Sequence, residues 1–273
     1  SVDNDIIEDN LQTSEENEAL ASTDYDEAIA QTDTEVLGEG SAKYSELAEE
    51  IGHSGNITLT HKSYTYDEGG TIAISEANKV IDGNGAVIDM NGSTIKAFHV
   101  SASGVTIKNL TIKNANSNGN GGAIYFTISG TSGTVTNCNF SNNSAGYGGA
   151  IYFVKSGNVT NCNFTNNTAS QRGGAVYFSS TGDAINCNFI GNNATYNGGA
   201  VYFNGEGTVS NCNFIGNTAA DGNGGAVYFL STGDVTNCNF TNNTADVDGG
   251  AVYFRNTGDV TNCNFIGNNA TYN

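Results

Sequence analysis

Apolar and polar positions along residues 121–273 follow a unit that returns about every 25 residues. Each unit holds three short apolar runs: Ala-Ile/Val-Tyr-Phe, then a shorter run around a residue such as Val159 or Val235, then Cys-Asn-Phe. Gly, Asn, Ser and Thr separate the runs, and these residues favour tight turns between short strands. The pattern therefore predicts three β-strands in each unit.

The units lack a helical period, and the chain contains no Pro. Strands of successive units can pair in parallel, because the other two strands of each coil supply the crossover. We therefore predict an all-β fold, a right-handed parallel β-helix with three short strands per coil. Residues 121–273 supply six explicit coils, and β-branched runs in residues 56–120 supply about three degenerate ones, about nine in all. A β-propeller or a leucine-rich repeat fits this spacing poorly.

A residue type that repeats once per coil forms a column along the rod. Side chains two residues apart on the third strand share a face, which predicts that Cys and Phe both point inward. The Cys column contains Cys138, Cys162, Cys187, Cys212, Cys238 and Cys263. The Phe column contains Phe140, Phe164, Phe189, Phe214, Phe240 and Phe265. We expect buried free thiols rather than disulfides, because parallel in-register side chains disfavour the disulfide torsion.

An Asn stands immediately before each Cys, where a sharp turn needs a residue that tolerates the left-handed conformation. Stacked amides at this position can hydrogen-bond along the rod and satisfy one another. This predicted asparagine ladder contains Asn137, Asn161, Asn186, Asn211, Asn237 and Asn262, with Asn109 one coil earlier.

In the first strand we expect Ile or Val and Phe to point inward and Tyr to point outward, because six buried hydroxyls would be hard to satisfy. The opposite parity would place Ala and Tyr inside. An outward column would form an aromatic strip, which either binds a partner or serves only as a structural ladder. Its members are Tyr125, Tyr152, Tyr177, Tyr202, Tyr228 and Tyr253.

The two ends of the chain differ from the repeats. Residues 1–42 contain 13 acidic residues and no Lys or Arg, which predicts a flexible acidic leader before a β-helix domain at 43–273. In residues 41–52, Leu47, Ala48 and Ile51 follow Ser45 at helical spacing, so we expect a short helix that caps the β-helix. The last residues repeat 188–197 and end where another Gly-Gly-Ala would follow, so we expect further repeats beyond residue 273.

The overall charge restricts the possible partners. The 9 Lys and Arg residues against 28 Asp and Glu residues give a formal net charge of -19. Such a charge repels phosphate backbones and anionic membranes, so we expect no nucleic-acid partner. The chain has no run of 18 apolar residues, so we also expect no transmembrane segment.

Two sets of motifs carry a resemblance to known families. Each Gly-Gly-Ala-Ile/Val is followed by Phe-x-x-Asn, and this pair resembles the motifs of polymorphic outer-membrane protein repeats. The upstream segments "ITLTHKSYTYDEGGTIAIS", "KVIDGNGAVIDMNG" and "GVTIKNLTIKNA" resemble the amino-terminal part of adhesin-like surface proteins of methanogenic archaea. These have a pectate-lyase-like right-handed β-helix. The resemblance, which covers about residues 45–273, implies a secreted or cell-surface protein that mediates adhesion.

Pectate lyases and polygalacturonases share this fold, so an enzymatic function is an alternative. Such enzymes need carboxylates clustered for Ca²⁺ beside a basic residue, or two carboxylates in one groove. We expect neither, because the acidic residues of the explicit repeats fall in predicted turns. They are Asp183, Glu206, Asp221, Asp234, Asp246, Asp248 and Asp259. We therefore expect no enzyme and no catalytic residue.

Candidate metal ligands and catalytic histidines are also few. Asp234 and Asp259 occupy the same position in adjacent coils, where either solvent or a weakly bound Ca²⁺ would screen their charges. The cysteines form no Cys-x-x-Cys pair, and a straight column cannot surround zinc tetrahedrally, so we expect no metal site and no cofactor. The three histidines, His53, His61 and His99, form no visible triad.

The function that these observations favour is a cell-surface, adhesin-like β-helical stalk that attaches to a cell-surface protein or a glycan. One alternative is a polysaccharide lyase or glycoside hydrolase, and a second is a passive structural spacer. The expected location is extracellular, at the cell surface.

Overall fold

The computed structural model describes residues 40–127 and 133–272. Nearly all of the predicted acidic leader, residues 1–39, and the predicted repeats beyond residue 273 lie outside the described residues.

The described chain is a parallel β-helix of about nine coils. In each coil the Ala-Ile/Val-Tyr-Phe run lies in a first sheet, the Val run in a second and the Asn-Phe run in a third. The first sheet contains β4 (Ile72–Ile74), β7 (Phe98–Val100), β10 (Ile124–Phe126), β14 (Ile151–Phe153), β18 (Val176–Phe178), β22 (Val201–Phe203), β26 (Val227–Phe229) and β30 (Val252–Phe254).

The other two predicted sheets run the whole length of the rod. The second sheet contains β2 (Ile57–Thr58), β5 (Val80–Asp82), β8 (Thr106–Lys108), β11 (Gly133–Thr136), β15 (Gly157–Thr160), β19 (Gly182–Ile185), β23 (Gly207–Ser210), β27 (Gly233–Thr236) and β31 (Gly258–Thr261). The third sheet contains β1 (Ser41–Lys43), β3 (Ser63–Thr65), β6 (Val87–Asp89), β9 (Thr111–Lys113), β12 (Asn139–Ser141), β16 (Asn163–Thr165), β20 (Asn188–Ile190), β24 (Asn213–Ile215), β28 (Asn239–Thr241) and β32 (Asn264–Ile266).

A fourth sheet of two-residue strands, which the sequence pattern did not predict, follows the third sheet in the repeats. It contains β13 (Ser144–Ala145), β17 (Thr168–Ala169), β21 (Asn193–Ala194), β25 (Thr218–Ala219), β29 (Thr244–Ala245) and β33 (Asn269–Ala270). Two residues are too few to show an alternating pattern, which is why only three strands per coil were expected.

Parallel pairing keeps every repeated residue in register with its counterpart. Ile124 pairs with Ile151 and Phe140 with Phe164, and the same matching continues along the rod. Inward side chains therefore form one continuous core, which extends from Tyr44 to Ala251. The predicted fold is confirmed, and its sheets place residues of equivalent positions in straight rows on the outer faces.

The predicted capping helix is α1 (Tyr44–Gly52), which buries Tyr44, Leu47 and Ile51. These side chains join the core, so the helix covers the amino-terminal end of the rod as expected. The helix begins at Tyr44, and the Ser45 hydroxyl donates to Asp67 Oδ2 at 3.0 Å.

Candidate functional site

The outer face of the first sheet carries the predicted aromatic strip. Its six tyrosines point away from the main core, and neighbouring ring centroids lie 4.8–5.3 Å apart. His99 extends the stack, with its ring centroid 5.6 Å from that of Tyr125. The sequence analysis missed His99, although it occupies the position equivalent to Tyr125 in the preceding coil.

The middle of this strip is not an open surface, which differs from the expectation of an outward aromatic face. Tyr177, Tyr202 and Tyr228 are only 7%, 1% and 4% exposed. They form a second apolar cluster, against which Tyr147 and Leu230 pack. Side chains from the turns that flank the first strand therefore fold over the central rings, whereas Tyr125, Tyr152 and Tyr253 stay partly exposed.

Two cations lie over the strip, although the chain has few of them. Lys96 Nζ is 5.6 Å from the centroid of Tyr125, and Arg172 Cζ is 5.4 Å from that of Tyr202. Arg172 Nε is buried and has no hydrogen-bond partner among the described residues. A cation over an aromatic face is attracted by the ring quadrupole. The positions of Lys96 and Arg172 over Tyr125 and Tyr202 are therefore favourable.

Burial controls the protonation of the strip. It raises the pKa of Tyr177, where Tyr202 and Tyr152 add to the effect, and that of Tyr202, which Arg172 opposes. Burial lowers the pKa of His99, and repulsion from Lys96 lowers it further. Burial also lowers the pKa of Lys96, so burial favours the uncharged form of His99, Tyr177, Tyr202 and Lys96.

The predicted asparagine column occupies left-handed turns, with φ of 53–54° from Asn137 to Asn262. Its side-chain amides form hydrogen bonds between neighbouring coils at two positions, from Asn137 to Asn109 at 3.2 Å and from Asn237 to Asn211 at 3.3 Å. A second column on the outer face of the third sheet bonds more regularly, at 2.8–2.9 Å, from Asn163 to Asn264.

The most buried asparagine ladder lies elsewhere, at the last position of each Phe-x-x-Asn motif. Its members are Asn143, Asn167, Asn192, Asn217, Asn243 and Asn268. Asn192 is typical, because its Nδ2 donates to Phe164 O and Asn217 Oδ1 while its Oδ1 accepts from Asn167 N and Nδ2. The motif was seen in the sequence only as a resemblance, although its strict period could have revealed an inward amide.

The Phe and Cys columns line the interior side by side from Cys138 to Phe240, whereas Phe265, which was also expected to point inward, is 48% exposed. Phe rings of successive coils stack with centroids 4.7–5.1 Å apart, from Phe140 to Phe265. The six cysteines are free, and all except Cys263 are buried. Each Sγ donates to the carbonyl two residues earlier at 3.2 Å.

The second sheet carries acidic side chains on its outer face, which corrects two expectations. Asp183, Asp234 and Asp259 lie in strands rather than turns, and Asp234 pairs in register with Asp259. Asp183, Glu206 and Asp234 also line one open groove of about 270 Å³ together with Ser, Thr, Asn and Gly, without Lys or Arg. Asp183 and Asp234 lie two coils apart with Thr208 between them, so these carboxylates share one surface without being direct neighbours.

The histidines lie apart from this groove. His61 is in the amino-terminal cap, with Nδ1 3.0 Å from Glu50 Oε1. Burial alone would raise the pKa of Glu50, but hydrogen bonds from Thr60, Tyr64 and His61 lower it below its usual value. Burial of the phenol, together with its contact with Glu50, raises the pKa of Tyr64 to about 12. This cluster ties the helix to the first coil.

Residues 40–127 and 133–272 hold no group of three or more His, Cys, Asp or Glu side chains placed to bind a metal ion. Nor do they include a helix long and apolar enough to cross a membrane.

Comparison with known proteins supports the fold. Residues 122–272, more than half of the chain, match the model of the family described as "right handed beta helix region". No curated protein and no solved structure matches the chain. With its parallel coils and this match, the chain belongs to the right-handed β-helix family.

Proposed function

We propose that the rod is a non-catalytic attachment domain of a cell-surface, adhesin-like protein, which binds a glycan or a protein outside the cell. The observation that carries this proposal is the outer strip of the first sheet, where stacked aromatic rings meet Lys96 and Arg172. Tyr and Arg are enriched at protein interfaces, and a few aromatic anchors supply most of the binding energy there.

Both ends of the strip are partly exposed, and the amino-terminal end also carries a cation. The Tyr125 and Tyr152 ring centroids lie 5.3 Å apart with their planes tilted by 57°, and Lys96 lies over the Tyr125 ring. Flat, partly exposed rings can stack on a sugar or on a partner's side chain, and the ammonium group can pair with an anion. The covered rings from Tyr177 to Tyr228 would hold this end rigid.

Binding to a glycan array and to intact cells tests the proposal. A variant with Tyr125→Ser and Tyr152→Ser should lose binding at least tenfold, because both partly exposed rings at the amino-terminal end are gone. Tyr196→Ser is the matched control, since Tyr196 is 43% exposed but lies outside the strip. Equal loss in both variants would reject the strip as the binding surface, and no binding by the parent protein would favour a passive spacer.

The acidic groove supports a second candidate function, a glycoside hydrolase. Asp183, Glu206 and Asp234 line one groove, and hydrolases of this chemistry use a pair of carboxylates. The groove has no basic side chain in its lining, so it does not favour a lyase that needs a basic group.

Incubation with neutral and acidic polysaccharides, followed by measurement of new reducing ends, separates the two functions. The attachment proposal expects no product. Product that disappears in the Asp183→Asn, Asp234→Asn variant would replace it with the hydrolase, whereas product that persists in this variant would indicate a contaminating enzyme.

A further inference from the structure

Nine Asn-x-Ser/Thr sequences, each an acceptor motif for N-linked glycosylation, occur in the explicit repeats. Six of them begin inside strands, at Asn139, Asn158, Asn163, Asn193, Asn239 and Asn269. The other three begin at the turn between the third and fourth sheets, at Asn142, Asn166 and Asn242. In these three, the next residue is an asparagine of the buried ladder, and the Ser or Thr begins a strand of the fourth sheet. None of these side chains belongs to the tyrosine strip.

The turn asparagines differ from the strand asparagines in what their amides contact. Asn142, Asn166 and Asn242 are exposed and hold the left-handed conformation, with φ of 53–54°. The ladder bonds of the described repeats come from other positions. Asn163 and Asn239, by contrast, use Nδ2 to donate to the neighbouring coil at 2.8 and 2.9 Å. A sugar on Nδ2 would therefore press against the outer column at the strand sites, whereas at the turn sites it would leave both ladders intact.

The row along this turn also provides space. In register it reads Asn142, Asn166, Gly191, Gly216, Asn242 and Gly267. A Cβ at Gly191 would come within 2.6 Å of Asn166 Oδ1, so the glycine leaves room for that asparagine. Asn242 has glycine on both sides. Asn142 and Asn166 stand in adjacent coils about 4.8 Å apart, so two glycans there would compete for space.

We infer that the turn between the third and fourth sheets is an N-glycosylation site, with a glycan on Asn242 and on at least one of Asn142 and Asn166. The inference rests on the extracellular location of the proposed function, because this motif is modified on the surface of secreted chains. Transfer forms a bond between Nδ2 and the anomeric carbon of an oligosaccharide and breaks the bond of that carbon to the phosphate of a lipid carrier. One Nδ2 proton passes to a base of the transferase. The glycans start from a different face than the tyrosine strip of the first sheet.

Mass spectrometry of the secreted protein tests the inference. The chain is secreted from cells that glycosylate their secreted proteins, and an added carboxy-terminal motif, modified in every preparation used, shows that the chain met the transferase. Release by a glycan amidase in H₂¹⁸O converts each glycosylated Asn into ¹⁸O-labelled Asp, which peptide mapping locates. We expect label at Asn242 and at Asn142 or Asn166, and little at Asn163 and Asn239. Label at the added motif alone, or equal label at turn and strand sites, would overturn the inference.

Two sets of substitutions form a matched pair. Ser144→Ala, Thr168→Ala and Thr244→Ala together remove the hydroxyls that the transferase requires but keep the turn asparagines, so the turn glycans should disappear. Thr165→Ala and Thr241→Ala remove the motifs at the strand sites in the same way and should leave the turn glycans unchanged. Circular dichroism checks that both variants fold. Turn glycans that persist in the first variant, or disappear in the second, would contradict the assignment.

A third variant moves the site by one coil. Gly216→Asn completes Asn-Asn-Thr in a coil that lacks the motif, at a φ of 61° and with open space around the added side chain. Thr244→Ala is added so that a glycan on Asn242 does not compete. Label should move from Asn242 to position 216, and a folded variant without label there would show that the turn does not direct modification.

Binding of partners is measured separately, with the strip intact. Binding by a chain whose turn sites carry no glycan would overturn this inference and keep the attachment proposal, whereas a glycosylated chain without any partner would do the reverse.

Discussion

The amino-terminal coils and the explicit repeats build the same corner, between the second and third sheets, with different chemistry. In residues 80–114 the corner is held by charge. Asp82 accepts from Asn84 N and Asn109 Nδ2, both at 3.0 Å, and pairs with Lys108 at 3.0 Å. Asp89 makes the same set of contacts with Asn91, Asn114 and Lys113 one corner later.

The repeats carry uncharged side chains at the positions of these charged pairs, because Thr136 is in register with Lys108 and Ser141 with Lys113. Stacked asparagines bond to their counterparts in neighbouring coils, and the buried ladder around Asn192 also satisfies the carbonyls of the Phe column. A neutral residue can be copied in every coil without repulsion, whereas like charges directly opposite one another are destabilising. A long rod therefore favours amides, and charge suits coils that occur only a few times.

The two regions also differ at the turn before the first strand. Ile124 pairs with Phe98, so Lys96 stands where the repeats have the second glycine, Gly122. A Cβ on Gly122 would collide with Gly149 O and approach Ser144 O, which belongs to the fourth sheet. Glycine is required where a strand of the fourth sheet packs against this turn. The coil that contains Lys96 has only an isolated β-bridge at Asn116 in place of that strand, which is consistent with a side chain at position 96.

The largest expected loss of stability comes from adding a side chain where the glycine backbone contacts its neighbours. Gly199→Ala would place a methyl group inside the contact distance of Gly225 O, with Thr218 backbone atoms 2.6 Å away, so neither neighbour can move freely. We expect a loss of at least ~4 kcal/mol in the free energy of unfolding, or failure to fold. Gly216→Ala is the control, with open space around it and a cost of about 1 kcal/mol from its φ of 61°. Urea denaturation measures both, and equal losses would contradict the proposed role of the fourth sheet.

The next effect separates the buried amide ladder from the outer one in the same coil. Asn192→Ala leaves Phe164 O and Asn167 N without their partners in the interior, and each unsatisfied group costs about 1–3 kcal/mol. We expect a total loss of about 3 kcal/mol. Asn188→Ala removes two half-buried bonds of the outer column, to Asn163 at 2.8 Å and from Asn213 at 2.9 Å, and should cost about 1 kcal/mol because water can reach the groups left behind. A larger loss for Asn188→Ala in urea denaturation would mean that the outer column stabilises the repeats.

Acid should weaken the amino-terminal coils before the repeats. Burial alone would raise the pKa of Asp82 and Asp89, but hydrogen bonds from Asn and pairing with Lys lower both pKa values. A carboxylate with a lowered folded pKa stabilises the protein above its unfolded pKa of about 3.9, and this contribution disappears as the pH falls through the folded pKa. We expect about 1 kcal/mol from each carboxylate near neutral pH.

Hydrogen exchange, corrected for intrinsic rates, can follow both regions at pH 6 and pH 3. Amides of β5 and β6 should lose protection at the lower pH, whereas those of β20 and β21 should keep it. The Asp82→Asn, Asp89→Asn variant should remove this difference. Equal loss of protection in both regions would show that charge pairing does not distinguish them.

Much of this comparison could be predicted from the sequence, because the coil is set by local periodicity. The spacing of Phe140 and Cys138 fixed the inward face of the third strand, and the Asn before each Cys predicted a left-handed turn. The fourth sheet could not be predicted, because its two residues carry no periodic signal. The cover over Tyr202 depends on Arg172, Tyr147 and Leu230, which come from different coils and are not repeated, so only the assembled rod shows it.

The smallest effect concerns the cations over the strip, one in each region. Arg172 lies over Tyr202, which is 1% exposed, whereas Lys96 lies over the partly exposed Tyr125. Because a desolvated cation is held more strongly by a ring than an exposed one, Arg172→Gln should cost about 1 kcal/mol and Lys96→Gln about 0.5 kcal/mol. Lys155→Gln, on an exposed turn, should cost nothing measurable.

Arg172→Gln should also raise the pKa of Tyr202, since Arg172 opposes the effect of burial on that phenol. Urea denaturation and tyrosinate absorbance check both effects, and a greater loss for Lys96→Gln would place the stronger cation–ring contact in the amino-terminal coils.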